Sequence, residues 1–402
     1  MNLSQRSLRT AKHMVGLLIS LATAGVVCLD WQAQDSALAD DLPQPVATTV
    51  PPIVDPTRIE GHEKCIDCHI QEVQAWLASK HATRAFDLLR TSPTSREYAK
   101  ELGIRPTDIA RQSLCVTCHA TPRQNQVAEA TVISGVSCEA CHNAAGGKDG
   151  WLNLHAVYGP RGTRRGDESA KHLAERQANC NKAGQFRSAN AYELVKRCFA
   201  CHVVGNEALA EAGHDHGDRF EVVEKMLGEV RHNFFLNRHQ NAEVATLWTD
   251  SLHHGAGRTA SGRKRVLFIL GQLVDLETSL RSLAKATDEN NFSDLMIERI
   301  EDAFGLLAKD LLDELKETEL PDVASVVELV EAVLENLDDD GFDADDQKLY
   351  LDTAEKVAQV AQAFAARDGS KLPEVDDLDL IPEGPFEGVY QPAAVDEPDG
   401  LP

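Results

Sequence analysis

Apolar positions recur in two different ways along this chain. From Val266 onward they fall at helical spacing. Val266, Leu270, Leu273, Leu276, Leu280 and Leu283 form one stripe. Ile297, Ile300, Phe304, Leu307, Leu311 and Leu315 form a second, with the small Ala308 on the same face. Val326, Val327, Val330, Val333, Leu334 and Leu337 make a third, and Tyr350, Ala354, Val357, Val360 and Phe364 a fourth. Charge occupies the other face of each stripe, the pattern of an amphipathic helix turned toward a core. Ser293 is read as an N-cap, Pro321 as a first-turn residue and Gly369 as a C-terminal stop. Short loops join the stripes, so neighbours are expected to run antiparallel. Residues 241–370 are thus expected to form a helical bundle.

Before that region the pattern is less regular. Gln71 to Leu89 predicts one clear helix, and the rest of 59–240 reads as helical segments joined by long loops. At the N-terminus Arg6, Arg9 and Lys12 precede an apolar run from Met14 to Cys28. Ala37-Leu38-Ala39 then offers a small-x-small cleavage site, with Ala22-Thr23-Ala24 as a second candidate. This predicts a secretory signal over residues 1–39. The run is shorter than the ~20 apolar residues of a spanning helix, so no stable membrane span is expected. Residues 40–58, with Pro43, Pro45, Pro51, Pro52 and Pro56, read as an extended Pro-rich linker. Residues 371–402, rich in Pro, Gly, Asp and Glu, read as a disordered acidic tail.

The formal charge of −24 is unevenly placed. Residues 1–240 carry 27 basic and 27 acidic side chains, and residues 241–402 carry 13 and 37. Such acidity argues against a nucleic-acid partner. In the bundle it reads first as a solvated helical surface, with protein contact or dimerisation as the other reading. The run Asp338 to Asp346 around Gly341 is dense in carboxylates. On an EF-hand register its first ligand is Asn336 and its twelfth Gln347, where the loop requires Glu. An acidic interhelical loop is therefore preferred to a calcium site. Pro160 to Arg165, with three arginines, reads as an exposed basic loop.

The candidate chemistry lies in one word written four times: Cys65-Ile66-Asp67-Cys68-His69, Cys115-Val116-Thr117-Cys118-His119, Cys138-Glu139-Ala140-Cys141-His142 and Cys198-Phe199-Ala200-Cys201-His202. C-x-x-C-H attaches a c-type haem. The two thiols form thioethers with the porphyrin vinyls, and the adjacent imidazole binds the iron. Paired C-x-x-C words can also hold zinc, but zinc does not require a His directly after every pair. The words start 50, 23 and 60 residues apart, so no tandem repeat is read. Eight of the ten cysteines are used in this way. Cys28 lies in the apolar run, and Cys180 remains as a buried or free thiol. Four covalently bound haem c groups (iron) are expected. Bacterial attachment takes place outside the cytoplasmic membrane, which agrees with the export signal. The expected fold is all-α: a multihaem cytochrome c domain over 59–240 with loops wrapped around four haems, followed by the C-terminal bundle.

The proximal ligands are His69, His119, His142 and His202. Ten histidines lie outside the words and beyond the signal: 62, 81, 155, 172, 214, 216, 232, 239, 253 and 254. Local context favours His81, His155 and His232 as distal ligands. His81 is too far along its helix for its own haem but can reach a neighbouring one. His172 sits in a charged helix, His214 and His216 in a polar Gly-rich loop, and His253 and His254 at the bundle edge.

Residues 59–240 resemble the cytochrome c-554 family of periplasmic tetrahaem cytochromes. The likeness is carried by Gly61-His62-Glu63-Lys64 before the first word, and by Trp76 followed by Ser79-Lys80-His81-Ala82 and Ala85-Phe86. Ala120-Thr121 after the second word and Gly135-Val136-Ser137 before the third add to it. The resemblance implies haems stacked in close pairs within an α-rich fold, three with two His ligands and the haem of the second word five-coordinate. Carried over, His69, His142 and His202 serve the bis-His haems, with His81, His155 and His232 distal. His81 and His155 each cross to a haem other than that of the nearest word. His119 holds the open iron. His172 or His239 stands as a replacement for His232.

Electron relay between redox partners is the expected function: a donor dehydrogenase or quinol-linked cytochrome on one side, and a downstream acceptor on the other. The resemblance implies a nitrogen-cycle setting and a periplasmic, or otherwise exported, location. The alternative is a haem enzyme that binds or reduces a small nitrogen oxide (nitric oxide, hydroxylamine) at the open haem on His119. No C-x-x-C-K word is present. An electron carrier is favoured over a catalyst.

Overall fold

A computed structural model describes residues 52–111, 113–124, 130–187, 189–214, 220–231, 260–315, 320–337, 341–384 and 386. The expectations for the signal segment, most of the linker, His216, His232, His239, His253, His254, residues 338–340 and the end of the tail lie outside the described residues.

Helix dominates, as expected, and the sheet among the described residues is one antiparallel pair, β1 (Thr121–Arg123) with β2 (Thr131–Ser134). The helices of the word-bearing region are short. In order they are α1 (His62–Cys65), α2 (Ile70–Ala78), α3 (Lys80–Thr83), α4 (Ala85–Thr91), α5 (Pro93–Glu101) and α6 (Ser113–His119). There follow α7 (Cys138–His142), α8 (Leu152–His155), α9 (Ala170–Lys182), α10 (Ala191–His202), α11 (Glu207–Glu211) and α12 (Val222–Leu227).

The single helix expected from Gln71 to Leu89 is instead three. Ser79 takes an extended backbone (φ −77°, ψ 158°) and ends α2. Its hydroxyl donates to Trp76 O at 2.6 Å and accepts the Ala82 N–H at 3.3 Å, so one residue closes α2 and caps α3. Apolar spacing runs on through the break, which is why the pattern does not mark it.

The C-terminal stripes fold as helices: α13 (Ala260–Leu283), α14 (Asn291–Gly305), α15 (Pro321–Leu337) and α16 (Ala344–Ala365). A π-helical turn over Leu306–Leu312 continues α14. Every residue of the first stripe is buried. Val266, Leu267, Phe268, Ile269 and Leu270 are buried in succession, so α13 is covered on all sides, as a central helix is. Pro321 opens α15 as expected. The cap of α14 is Asn290 and not Ser293. Asn290 Oδ1 accepts the Ser293 N–H at 3.1 Å and Ser293 Oγ accepts the Asn290 N–H at 2.8 Å, a reciprocal box. Asp343 and Asp346 form the same device at the start of α16, which engages two carboxylates of the acidic loop in helix capping. Among the described residues no three His, Cys, Asp or Glu side chains converge on a metal-ion position. The helix α16 ends at Ala365, and Gly369 lies beyond it, where a Cβ would come 2.0 Å from Gly262 O.

The fourth word is built into the same core as these helices. Ala191, Tyr192, Val195 and Phe199 of α10 and Val222 and Val223 of α12 share one buried cluster with α13. Glu277 of α13, fully buried, accepts hydrogen bonds from Tyr192 Oη and Lys196 Nζ, both at 2.7 Å, and from Arg281 Nε at 2.9 Å. A second cluster, with Leu89, Ala99, Leu102, Ile109, Leu114 and Val116, lies under the second word. Leu209 of α11 and Ala212 just after it pack against it. No helix among the described residues is long and apolar enough to cross a membrane.

Candidate functional site

Three of the four words are helical and end on their histidine: α6 at His119, α7 at His142 and α10 at His202. Spacing i, i+3 then sets the two thiols of each word on one helix face. In the first word Cys65 ends α1, a turn follows, and His69 precedes α2. The words are gathered in pairs. The Cys65 thiol lies beside that of Cys138, and the Cys118 thiol beside that of Cys201. First meets third and second meets fourth.

Glu139, inside the third word and 1% exposed, clasps the approach to the first. Its carboxylate accepts the N–H groups of Glu60 at 3.1 Å, Gly61 at 2.8 Å and Ala145 at 2.8 Å. Three backbone donors satisfy a charge that would otherwise be costly to bury.

The histidines are oriented by their Nδ1 atoms. His119 Nδ1 lies 3.0 Å from Ala85 O, and His142 Nδ1 lies 2.8 Å from Phe186 O. A carbonyl partner places the proton on Nδ1 and leaves Nε2 free as a ligand, the usual outer-shell arrangement of metal-binding histidine. His155 Nδ1 lies 3.2 Å from Gln185 Nε2. Gln185 Oε1 is buried without a hydrogen-bond partner. Turning that amide over brings Oε1 to Nδ1–H and gives His155 the same tautomer.

Imidazoles far apart in the chain face each other. The His69 and His155 ring centroids are 5.8 Å apart with planes at 33°, and those of His81 and His202 are 6.2 Å apart at 81°. His119 and His214 are 6.2 Å apart at 66°. A transition metal about 2 Å from each of two opposed imidazole nitrogens sets the ring centroids roughly 6 Å apart. By this spacing, each pair is a set of residues that would hold a haem iron. Burial pushes the His155 imidazole down to about 4, with His69, Arg176 and Arg187 adding to it. Burial does the same to His202, also to about 4, with His81 and Lys225 adding. His81 and His119 are lowered too, again chiefly by burial. These imidazoles are neutral at pH 7, the form that binds iron.

The neighbours that hold His81 and His155 are specific. Val136 N–H donates to His81 O at 3.0 Å, and Trp76 Nε1–H donates to Val136 O at 2.7 Å. Thr121 Oγ1 donates to Gly135 O at 2.7 Å and accepts the Ser137 N–H at 2.9 Å. The flanking residues that carried the family likeness are thus the ones that fix His81. Arg176 Nη1 donates to His155 O at 2.7 Å, and Glu168 holds Arg176 through Nε at 2.8 Å and Nη2 at 2.6 Å. His172 Nδ1 lies 2.6 Å from Glu168 Oε1, so His172 belongs to the cluster that holds Arg176.

The structure therefore brings His81 opposite His202 of the fourth word and His155 opposite His69 of the first. His142 is placed by Phe186, and its expected partner His232 lies outside the described residues. Cys180 is a buried thiol, as expected. Sequence reasoning missed Glu139, Gln185 and the Glu168–Arg176 clamp, and ranked His214 low. Only Glu139, a carboxylate inside a haem word, carried a visible signal.

Words whose histidines are paired across the fold suit a c-type cytochrome, and the family match below points to the same class, an electron carrier with covalently bound haem c. The model of the cytochrome c554 and c-prime family matches residues 64–143, which contain the first three words, and over that segment the chain is similar to that family. The fourth word and the C-terminal helices lie beyond the match. No curated protein and no solved structure matches the chain.

Proposed function

We propose that this protein is an exported, periplasmic tetrahaem cytochrome that relays electrons between a donor dehydrogenase or quinol-linked cytochrome and a downstream acceptor. Cys65 and Cys68, Cys115 and Cys118, Cys138 and Cys141, and Cys198 and Cys201 would hold the four haems. His69, His119, His142 and His202 would be proximal. His155 would complete the first haem and His81 the fourth, with His232 the candidate for the third. Residues 59–240 would be the haem domain, with 241–370 an acidic helical bundle behind it that offers a surface for protein contact.

One observation carries this reading: the imidazole pairs cross between words. His81 follows the first word in sequence but faces His202 of the fourth. His155 follows the third but faces His69 of the first. A crossed ligand ties two cofactors to one short segment and fixes their separation, which electron transfer requires. The thiol contacts of the first word with the third, and of the second with the fourth, support short gaps. Ile66, Ile70, Leu77, Leu88, Leu154 and Val157 are exposed apolar side chains within the word-bearing region. They suit a porphyrin face.

Bound haem supplies one-electron redox chemistry at its iron. The chain holds it by thioethers and Nε2 atoms. The Ala85 and Phe186 carbonyls fix the imidazole tautomers of His119 and His142, and burial lowers the His119 imidazole so that it is neutral at pH 7.

Haem content by pyridine haemochrome and intact mass tests the reading, with four haems expected. His81→Met should then raise the potential of one haem, because a Met ligand favours ferrous iron. Fewer than four haems, or no shift in potential, would count against it.

A further inference from the structure

The short helix α11 ends in a defined way. Gly213 has a positive φ of 80°, its N–H donates to Ala210 O at 2.9 Å, and the His214 N–H donates to Leu209 O at 2.9 Å. This is a Schellman closure, which places His214 two residues past the cap with its backbone fixed. Its imidazole lies between two rings. Tyr98 of α5 is on one side, with centroids 5.2 Å apart and planes at 34°. His119 of the second word is on the other, at 6.2 Å and 66°.

That spacing matches the His69–His155 and His81–His202 pairs. His119 also has its Nδ1 turned to Ala85 O, so its Nε2 is the free atom. The position of α11 comes from outside the matched segment. Asn291 Nδ2 at the start of α14 donates to Ala210 O at 3.2 Å, and Glu211 accepts the Phe292 N–H at 3.1 Å. Glu207 accepts from Asn290, the cap of α14. Leu209 and Ala212 pack on the cluster beneath the second word.

We propose that His214 is the second axial ligand of the haem iron held by His119, set in place by the C-terminal helices through α11. The family resemblance leaves that iron five-coordinate, and in this chain it is closed. The inference rests on the reading that Cys115 and Cys118 carry a haem. It follows that the second haem is low-spin and passes electrons, and that it does not bind nitric oxide or hydroxylamine as a substrate.

Electron paramagnetic resonance of the ferric, haem-loaded protein tests this, together with carbon monoxide titration of the ferrous form. Peptide mass is used first to establish thioether occupancy of Cys115 and Cys118. The wild type should show no high-spin signal. His214→Ala should give a high-spin signal equal to one haem, take up one carbon monoxide, and return to low spin on addition of imidazole. A wild-type high-spin signal of one haem, or a His214→Ala spectrum identical to the wild type, overturns the proposal. Should His214→Ala fail to accumulate, His214→Met decides. A methionine–iron absorption band and a raised potential support the proposal, and an unchanged spectrum overturns it. Unmodified Cys115 and Cys118 would overturn the haem assignment itself and this inference with it, and mass tells that failure apart from a spectroscopic one.

Discussion

A buried carboxylate, Glu168, governs where His155 sits. It is 4% exposed, and it holds Arg176, 9% exposed, by two hydrogen bonds while Arg176 fixes the His155 carbonyl. The Arg176 hydrogen bond, with His172 adding to it, holds the Glu168 carboxyl below its ordinary value of 4.5. A carboxyl lowered on folding stabilises the fold above its unfolded value, and that contribution is lost as pH falls through the folded value. Glu168→Gln should therefore cost about 1.5–3 kcal/mol at pH 7, the range for hydrogen bonds to charged groups. The difference from wild type should shrink below about pH 4.5. Denaturant unfolding of the loaded protein at several pH values measures both effects, and a pH-independent difference would deny Glu168 its charge. Ring planes give a second prediction at this scale. The 33° pair of His69 and His155 should produce a rhombic low-spin resonance, and the 81° pair of His81 and His202 a large-g signal. Each should disappear with its own distal histidine, in His155→Ala and His81→Ala respectively.

Between elements, the Gly135 turn closely approaches α3. A Cβ at Gly135 would lie 2.2 Å from His81 O and 2.9 Å from Ala82 O, both backbone atoms that cannot swing away. Gly135→Ala should destabilise the protein by about 1–3 kcal/mol, as overpacking does. It should also perturb the haem ligated by His81 before the others, seen as loss or broadening of the large-g signal. An unchanged signal would mean that the turn does not position His81. This contact explains what could be read in advance. The helices under the C-terminal stripes and the residues that hold the His81 segment were legible, because periodicity and a family likeness each write a local mark. The break at Ser79 was not, because apolar spacing continues through it and only a cap stops the helix. His214 was not, because its value depends on a Schellman turn and on the cap of α14, some eighty residues away in sequence. The loop around it reads as polar and nothing more. Pairings set by tertiary contact leave no periodic trace in either partner.

At the scale of the molecule, the acidic C-terminal helices are joined to the fourth word through a charged knot and a wide apolar surface. Glu277 is the centre of that knot. It is fully buried, while its partners Lys196 and Arg281 are 41% and 34% exposed and reach water in part. Tyr192 contributes the remaining bond, and burial, with Glu277 adding, raises its phenol above the ordinary value. All three bonds run from α10 or α13 to one carboxylate, and α10 ends at His202. Glu277→Gln keeps the shape and removes the charge, so it should cost about 1.5–3 kcal/mol, again the range for charge-assisted bonds. Its effect on the haems should be graded by distance along the fold. The haem of His202 and His81 should shift in potential, because α10 carries its proximal ligand. The haem of His69 and His155, which has no residue on α10, should keep its potential. Redox titration monitored by the two distinct resonances separates these outcomes. Equal shifts at both would mean that the charge acts through space rather than through α10. No shift at either would mean that apolar packing alone holds the fourth word in place.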